Sequence, residues 1–317
     1  MTVAVIGEAV MDLVQRPDGS LRPHPGGSPY NVALALGRQG VPTDYISPLS
    51  LDGFGELLRD RLLDAGVTVP IGGRSARPTS LAVVAVDEAG QAEYTLYRHG
   101  IADRDTTAEA LVARMPDDLA LLHTGSLALV RADLPRMRVV LRAALARGAM
   151  ITVDVNMRPG VERLPEWRAA VRSLLPFCDV VKVSDADLAL LGVDGDPVEA
   201  GARLRPHVGG GVVVVTQGAA GATIQNAAHR VSRAAYPVPR VVDTIGAGDC
   251  FQAGLIAWMR HLGRVRPRGL RDADAATLGG LLDHACASAA LSVTRAGCDP
   301  PDWAAVGEVV RAGRVAA

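Results

Sequence analysis

Three observations predict a doubly wound α/β fold, a mostly parallel sheet flanked by helices, with a small antiparallel β appendage. From Leu119 onward, short β-branched runs alternate with segments of helical periodicity, the rhythm of a parallel sheet with crossover helices. Two alternating segments near the start, each broken by a turn, do not fit that rhythm and read as hairpins. With 317 residues and 49% hydrophobic content there is enough apolar material for one large core, so a single α/β unit spanning residues 1–317 is expected.

In chain order, Thr2-Val-Ala-Val-Ile6 reads as a buried strand that ends at Gly7-Glu8, where the backbone can turn and a site can open. Val10 to His24 alternates around Pro17-Asp-Gly-Ser20 and gives the first hairpin. Leu81–Val86, the turn Asp87-Glu-Ala-Gly90 and Ala92–Tyr97 give the second. Together they predict a small antiparallel sheet from segments near 10–25 and 78–100. The remainder runs strand Leu119–His123, helix Arg136–Arg147, strand Met150–Val155, helix Trp167–Leu175, strand Val180–Val183 and strand Gly211–Thr216. A polar hairpin-like stretch follows, then a helix from about Ala247 to Leu262 and an Ala-rich helix around Leu281–Leu291. The ligand crevice of such a core lies at the carboxyl ends of its strands.

The net charge of −1 provides no polycation for nucleic acid or an anionic membrane surface, so the expected partner is a small molecule. Four scattered cysteines without a Cys-x-x-Cys pair argue against a zinc site or a disulfide framework and fit a reducing cytosol. No basic leader precedes the first apolar run and no apolar stretch approaches a membrane span, so the chain is expected to be soluble and cytoplasmic. Lys182 is the only lysine.

The most specific feature is Val242-Asp-Thr-Ile-Gly-Ala-Gly-Asp249. Phe251, Leu255, Met259 and Leu262 recur at helical spacing behind it, so the glycine loop sits at a helix N-terminus. Free N–H groups and the helix dipole at Gly246, Ala247 and Gly248 suit a phosphoryl group, with Asp249 beside them as a candidate base for an attacking hydroxyl. The same run also reads as a tight turn with Asp249 as a helix cap. Walker A is excluded because Lys182 stands outside any Gly-Lys-Ser/Thr run, and the dinucleotide fingerprint because Phe251 replaces its third glycine. The histidines show no metal-ligand spacing, Gly125-Ser126 lacks the second glycine of a nucleophile elbow, and Cys250 reads as helix packing.

Asp243-Thr-x-Gly-Ala-Gly-Asp249 with Ala253-Gly254, together with Gly26-Gly-Ser-Pro-Tyr-Asn31-Val-Ala, resembles the two signatures of the ribokinase-like, or PfkB, carbohydrate kinases. Asp154-Val-Asn-Met-Arg158, Lys182-Val-Ser-Asp-Ala-Asp187, Thr216-Gln-Gly-Ala-Ala-Gly221 and Thr294-Arg-Ala-Gly297 stand at family-like positions, so the resemblance covers nearly the whole chain. It implies a ribokinase-like fold and ATP-dependent transfer of phosphate to a small sugar. In that scheme Asp249 is the base, Gly246, Ala247 and Gly248 hold the moving phosphate, and Arg158 neutralises charge. Asp12, Gly26, Gly27, Asn31 and Asn156 are implied sugar contacts, with Tyr97 and Arg98 reaching in from the lid. Lys182, Ser184, Thr216, Gly218 and Gly221 are implied ATP contacts, and Asp187 is implied to reach Mg²⁺ through water. Ser184 and Asp187 replace the Asn and Glu usual in that segment. A K⁺ ion is implied beside Asp243, Ile245, Ser292, Arg295 and Gly297. Gly7-Glu8, the Gly-Gly-Ser-Pro run and Val183-Ser-Asp look closest to the fructokinase group, with 2-keto-3-deoxygluconate kinase, ribokinase and a nucleoside kinase as the alternatives, and pairing of two lids into a homodimer is expected.

Overall fold

A computed structural model describes residues 1–16, 18–86 and 92–316. Pro17 and the turn expected at Asp87–Gly90 lie outside the described residues. Eight strands form the central sheet, in the order Arg230–Arg233, Ala222–Gln225, Val212–Thr216, Val180–Ser184, Met150–Asp154, Leu119–Gly125, Thr2–Val5 and Thr43–Tyr45. All neighbours from Val212–Thr216 to Thr43–Tyr45 are parallel, and the polar hairpin at the other edge is antiparallel.

The valine runs explain why both faces of this sheet are covered. Along Val212–Thr216, Val212 and Val214 enter one apolar cluster while Val213 and Val215 enter the other, as the two-residue period of a strand requires. Helices Ser28–Arg38, Ala247–His261 and Ala275–Ser292 cover the first face, and Leu134–Ala146, Leu164–Leu174 and Pro197–Leu204 the second. The expected helices are present with ends shifted by a few residues, except that the Ala-rich one begins at Ala275, capped by Asp274. Gly53–Asp64 and Trp303–Ala312 are further helices for which the sequence reading had no place; Asp52 and Asp302 cap them. Among the described residues no helix is long and apolar enough to cross a membrane.

The second sheet has the order Leu21–Gly26, Val10–Gln15, Ser80–Val86, Ala92–Tyr97. Each hairpin is antiparallel as expected, but the two central strands pair in parallel, Val10 opposite Ser80. The lid is therefore mixed and not purely antiparallel. The outgoing strand of each hairpin leaves the core in the same direction, and these two strands are the ones that meet.

Register then assembles the crevice. Asp154 lies beside Lys182 and Ser184 beside Thr216; Asp154, Ser184 and Thr216 end adjacent parallel strands, and Lys182 stands in the middle of its own. The winding of the sheet reverses between Thr2–Val5 and Leu119–Gly125, which puts the loops after these strands at the topological switch point.

Candidate active site

The glycine loop opens helix Ala247–His261, with Gly246 as its N-cap in the left-handed region at φ 76°. A β-carbon on Gly246 would stand 2.7 Å from the Cys298 Sγ, so both conformation and space call for glycine. Asp243 pins the loop: its Oδ1 accepts the Ile245 N–H at 3.0 Å and its Oδ2 the Gly297 N–H at 2.8 Å. The Ala247 N–H goes to the Thr244 carbonyl and that of Cys250 to the Gly246 carbonyl. Those of Gly246, Gly248 and Asp249 have no acceptor among the described residues, as the first turn of a helix leaves them. These three are the donors available to an anion, and Asp249 joins the glycines in that role.

The Asp249 carboxylate is 6% exposed. Its Oδ1 accepts from the Ser28 hydroxyl at 2.7 Å and from Asn156 Nδ2 at 3.4 Å, and its Oδ2 from Asn31 Nδ2 at 2.8 Å. Burial raises its pKa, against the hydrogen bonds from Asn31 and Ser28 and the charges of Lys182 and Arg158. Asp249 is therefore no N-cap; that position belongs to Gly246. Nor does Asn31 cap its own helix. Gly27 caps Ser28–Arg38 at φ 104°, and Asn31 lies a turn inside, facing Asp249.

Of the other residues expected to contact a sugar, Asn156 lies against this carboxylate. Asn156 leaves its strand at φ 40°, a strained value for a residue with a side chain, and donates to the Ser28 Oγ at 2.9 Å. Asp12 lies over Gly26, where a β-carbon would approach its Oδ2 to 2.4 Å. Burial pushes Asp12 up to about 6, against the pull of Arg158. The Arg158 side chain is exposed, and its charge acts on both Asp12 and Asp249. Tyr97 is 59% exposed. Arg98 turns inward and donates from Nη2 to Asp103 at 2.8 Å.

On the other side of the loop, Lys182 and Asp154 form a buried pair at 2.7 Å, and the Lys182 Nζ lies 3.1 Å from where a β-carbon on Gly248 would be. The one lysine of the chain thus sits beneath the glycine loop. Burial pushes Asp154 up to about 6 despite Lys182, and His123 down to about 3. Ser184 and Asp187 form a capping box at the start of helix Asp185–Leu190, and the Asp187 Oδ1 accepts the Met157 N–H at 2.8 Å. Both oxygens of Asp187, which is 3% exposed, therefore have protein donors. Thr216 ends its strand half-buried and Gly218 lies exposed in the turn beyond it. Gly221 closes that turn, and a β-carbon there would meet the Arg233 carbonyl. Ser292, Arg295 and Gly297 line the turn joined to Asp243.

Ser28 and Glu8 had no role in the sequence reading. Ser28 carries the shortest hydrogen bond to Asp249, and its spacing of three from Asn31 was the available signal, since i and i+3 share a helix face. Glu8 is buried at 2% exposure, and its Oε1 accepts the Ser28 N–H at 3.3 Å.

A buried carboxylate held by three donors, beside unpaired N–H groups at a helix N-terminus with an ammonium beneath them, is equipped to deprotonate a hydroxyl while holding a phosphoryl group. Residues 1–305 match the family model described as pfkB family carbohydrate kinase. A fructokinase from Rhizobium leguminosarum bv. trifolii is 34% identical over 259 residues, covering 80% of this chain and 78% of that one. A fructokinase from Xylella fastidiosa solved with bound ATP superposes with a TM-score of 0.86 at 26% identity, covering 98% of both chains. Aminoimidazole riboside kinase from Salmonella enterica gives 0.79 at 26% identity, over 97% of this chain and 98% of that one. The chain belongs to the pfkB family of carbohydrate kinases and is an ATP-dependent sugar kinase with the ribokinase-like fold.

Proposed function

We propose that the acceptor is fructose or a closely similar ketose, phosphorylated at a primary hydroxyl, and that the residues gathered above carry the transfer. The observation that supports this most is the Asp249 carboxylate, oriented by Ser28, Asn31 and Asn156 at the mouth of the glycine loop. Asp249 takes the hydroxyl proton as that oxygen attacks the γ-phosphate. The loop N–H groups, the helix dipole and the Lys182 ammonium stabilise the charge that develops, and Arg158 closes over it from the solvent side. Asp12, Asn31 and Asn156 supply acceptors and donors for vicinal hydroxyls, Gly26 and Gly27 let the sugar approach the backbone, and Tyr97 bounds it from the lid. ATP lies along Lys182, Ser184, Thr216, Gly218 and Gly221.

Among the described residues no group of three or more His, Cys, Asp or Glu could hold a metal ion, so Mg²⁺ would arrive on the triphosphate, the arrangement it favours. Asp187, with both oxygens already engaged, suits contact through water and not direct ligation. Bound there, Mg²⁺ supplies positive charge to the phosphates. K⁺ fits the turn joined by Asp243, where Ile245, Ser292, Arg295 and Gly297 offer carbonyls beside a carboxylate. The lid edge pairs two chains, and the enzyme works in the cytoplasm.

The fructose reading is supported by the named fructokinases among the relatives and by the Gly7-Glu8 and Gly-Gly-Ser-Pro runs. An ADP-release screen with Mg²⁺ and K⁺ over fructose, tagatose, ribose, 2-keto-3-deoxygluconate and nucleosides tests it. The highest kcat/KM is expected for fructose. A tenfold preference for any non-ketose would overturn the acceptor, and ATP and sugar binding without ADP release would make the protein a sensor.

A further inference from the structure

The loops that leave the sheet at its reversal point carry Glu8 on one side and Ser126 on the other. Glu8 is buried, and while its Oε1 accepts the Ser28 N–H, its Oε2 has no partner among the described residues. Arg98 directly follows the last lid strand, Ala92–Tyr97, and its guanidinium is drawn into the same interior, where it pairs with Asp103 at side-chain exposures of 13% and 3%. The Arg98 Nη1 and the Asp103 Oδ1 likewise have no partner among the described residues. Asp103 thus pairs with the guanidinium directly while Glu8 feels its charge without touching it, and each of the three groups holds a polar atom with no protein partner among the described residues.

We propose that Glu8 is a positioning residue that ties the base of the lid to the catalytic carboxylate. Ionised, it holds Arg98 in the cleft and draws the Ser28 N–H, so that the Ser28 hydroxyl stays aimed at Asp249. Protonated, it leaves Arg98 to Asp103 alone. The path runs from the charge of Arg98 to Glu8 and from there by two hydrogen bonds through Ser28 to Asp249, with three of the four residues buried and one serine linking backbone on one side to side chain on the other. Gly27 reinforces it, because a β-carbon there would stand 2.5 Å from the Glu8 carbonyl, so the substrate loop rests directly on Glu8. The proposal rests on the reading of this cleft as the sugar site beneath the lid.

The groups that face Glu8 are Arg98 and Asp103 from the lid side, the Ser126 hydroxyl across the switch point, and Tyr45, whose hydroxyl donates to the Gly7 carbonyl. Asp103 in turn faces Asp133, Arg104 and Arg136. Burial pushes Glu8 up to about 7, Arg98 pulls it down and Asp103 raises it, so the switch between its two forms falls near neutral pH. Removing the Asp103 charge therefore moves that switch to lower pH, and removing the Glu8 charge abolishes it.

The test is the pH dependence of sugar kcat/KM at saturating ATP in wild type, Glu8→Gln and Asp103→Asn. Wild type is expected to lose about tenfold per pH unit on the acid side of a limb near neutrality. Glu8→Gln should keep only the limb of Asp249, with sugar KM raised about tenfold and the KM for ATP unchanged. Asp103→Asn should shift the limb to lower pH. Superimposable wild-type and Glu8→Gln profiles, or a limb that moves upward in Asp103→Asn, would overturn the proposal. If Glu8→Gln does not fold, or no tested sugar is phosphorylated, ¹³C-carboxyl NMR of Glu8 decides without turnover. A midpoint near neutrality that falls in Asp103→Asn supports the coupling, and one at the ordinary glutamate value of about 4.3 refutes it.

Discussion

Ser28→Ala tests the hydrogen-bonded frame around the base most directly. The Ser28 hydroxyl donates to the Asp249 Oδ1 at 2.7 Å inside the protein, and a hydrogen bond to a charged group contributes about 1.5–3 kcal/mol. Most of that acts on the ionised form, since a protonated carboxyl accepts more weakly. At 1.36 kcal/mol per pH unit, its loss raises the Asp249 pKa by roughly 1 to 2 units. Asn156 Nδ2, 3.4 Å from the same oxygen and released from the Ser28 Oγ, can close in and recover part of this, so the net rise is about 1 unit or less. The base must be ionised to accept a proton, so the acid limb of kcat moves to higher pH by that amount while the plateau at alkaline pH falls less. A coupled ADP assay across the pH range reads both. A limb that coincides with the wild-type one would mean either that this hydrogen bond is not present in the working enzyme or that the titrating group is not Asp249.

Three further outcomes follow from the same geometry. Asp249→Asn should lower kcat by about 10²- to 10⁴-fold with ATP affinity nearly unchanged, and should hold or raise Tm at pH 7. The raised folded pKa makes ionised Asp249 a cost to the fold that appears as pH rises through that value, and the amide removes it; a Tm several degrees lower would contradict this. His284 stacks on Trp258 with ring centroids 5.1 Å apart, and burial holds it down to about 4 from 6.5. Its contribution is full above pH 6.5 and is lost as pH falls towards 4, about 3 kcal/mol in all. In His284→Phe the urea-unfolding free energy should therefore fall less between pH 7 and pH 5 than in wild type, and equal slopes would refute the assignment. Gly246→Ala places a β-carbon against Cys298 in a left-handed conformation and should cost about 1–3 kcal/mol of stability, with a larger loss in turnover, read by urea unfolding and the ADP assay.

What could be read from the sequence is what local chemistry decides. The glycine loop, the helix behind it and Asp249 are contiguous, so backbone preference and periodicity were enough to place a helix N-terminus with open N–H groups and a carboxylate together. The strands carrying Asp154 and Lys182 were legible for the same reason, although their pairing depends on sheet register, which a lone valine run does not specify. The directions of side chains were not legible. Arg98 was expected to point at the sugar and instead lies beside Asp103, because a guanidinium at the root of the lid meets that buried carboxyl group before it meets solvent. Ser28 passed as part of a signature because a serine at a helix start is ordinarily a cap; here Pro29 and the left-handed Gly27 shift the cap back one residue and free its hydroxyl.

The residues whose positions defy local rules share one neighbourhood. Asn156 holds φ 40°, Asp249 and Asp154 are carboxylates in the interior, and Glu8 has a buried oxygen without a partner among the described residues. Each costs stability where it stands, and the rest of the sheet, with apolar clusters on both faces, can offset that cost. On the proposed reading a hydroxyl and a phosphoryl group enter this region only during turnover and bring partners for the polar groups left open there. Binding of sugar and nucleotide should accordingly raise Tm by more than either alone, because the second ligand meets a site whose buried charges the first has already begun to satisfy.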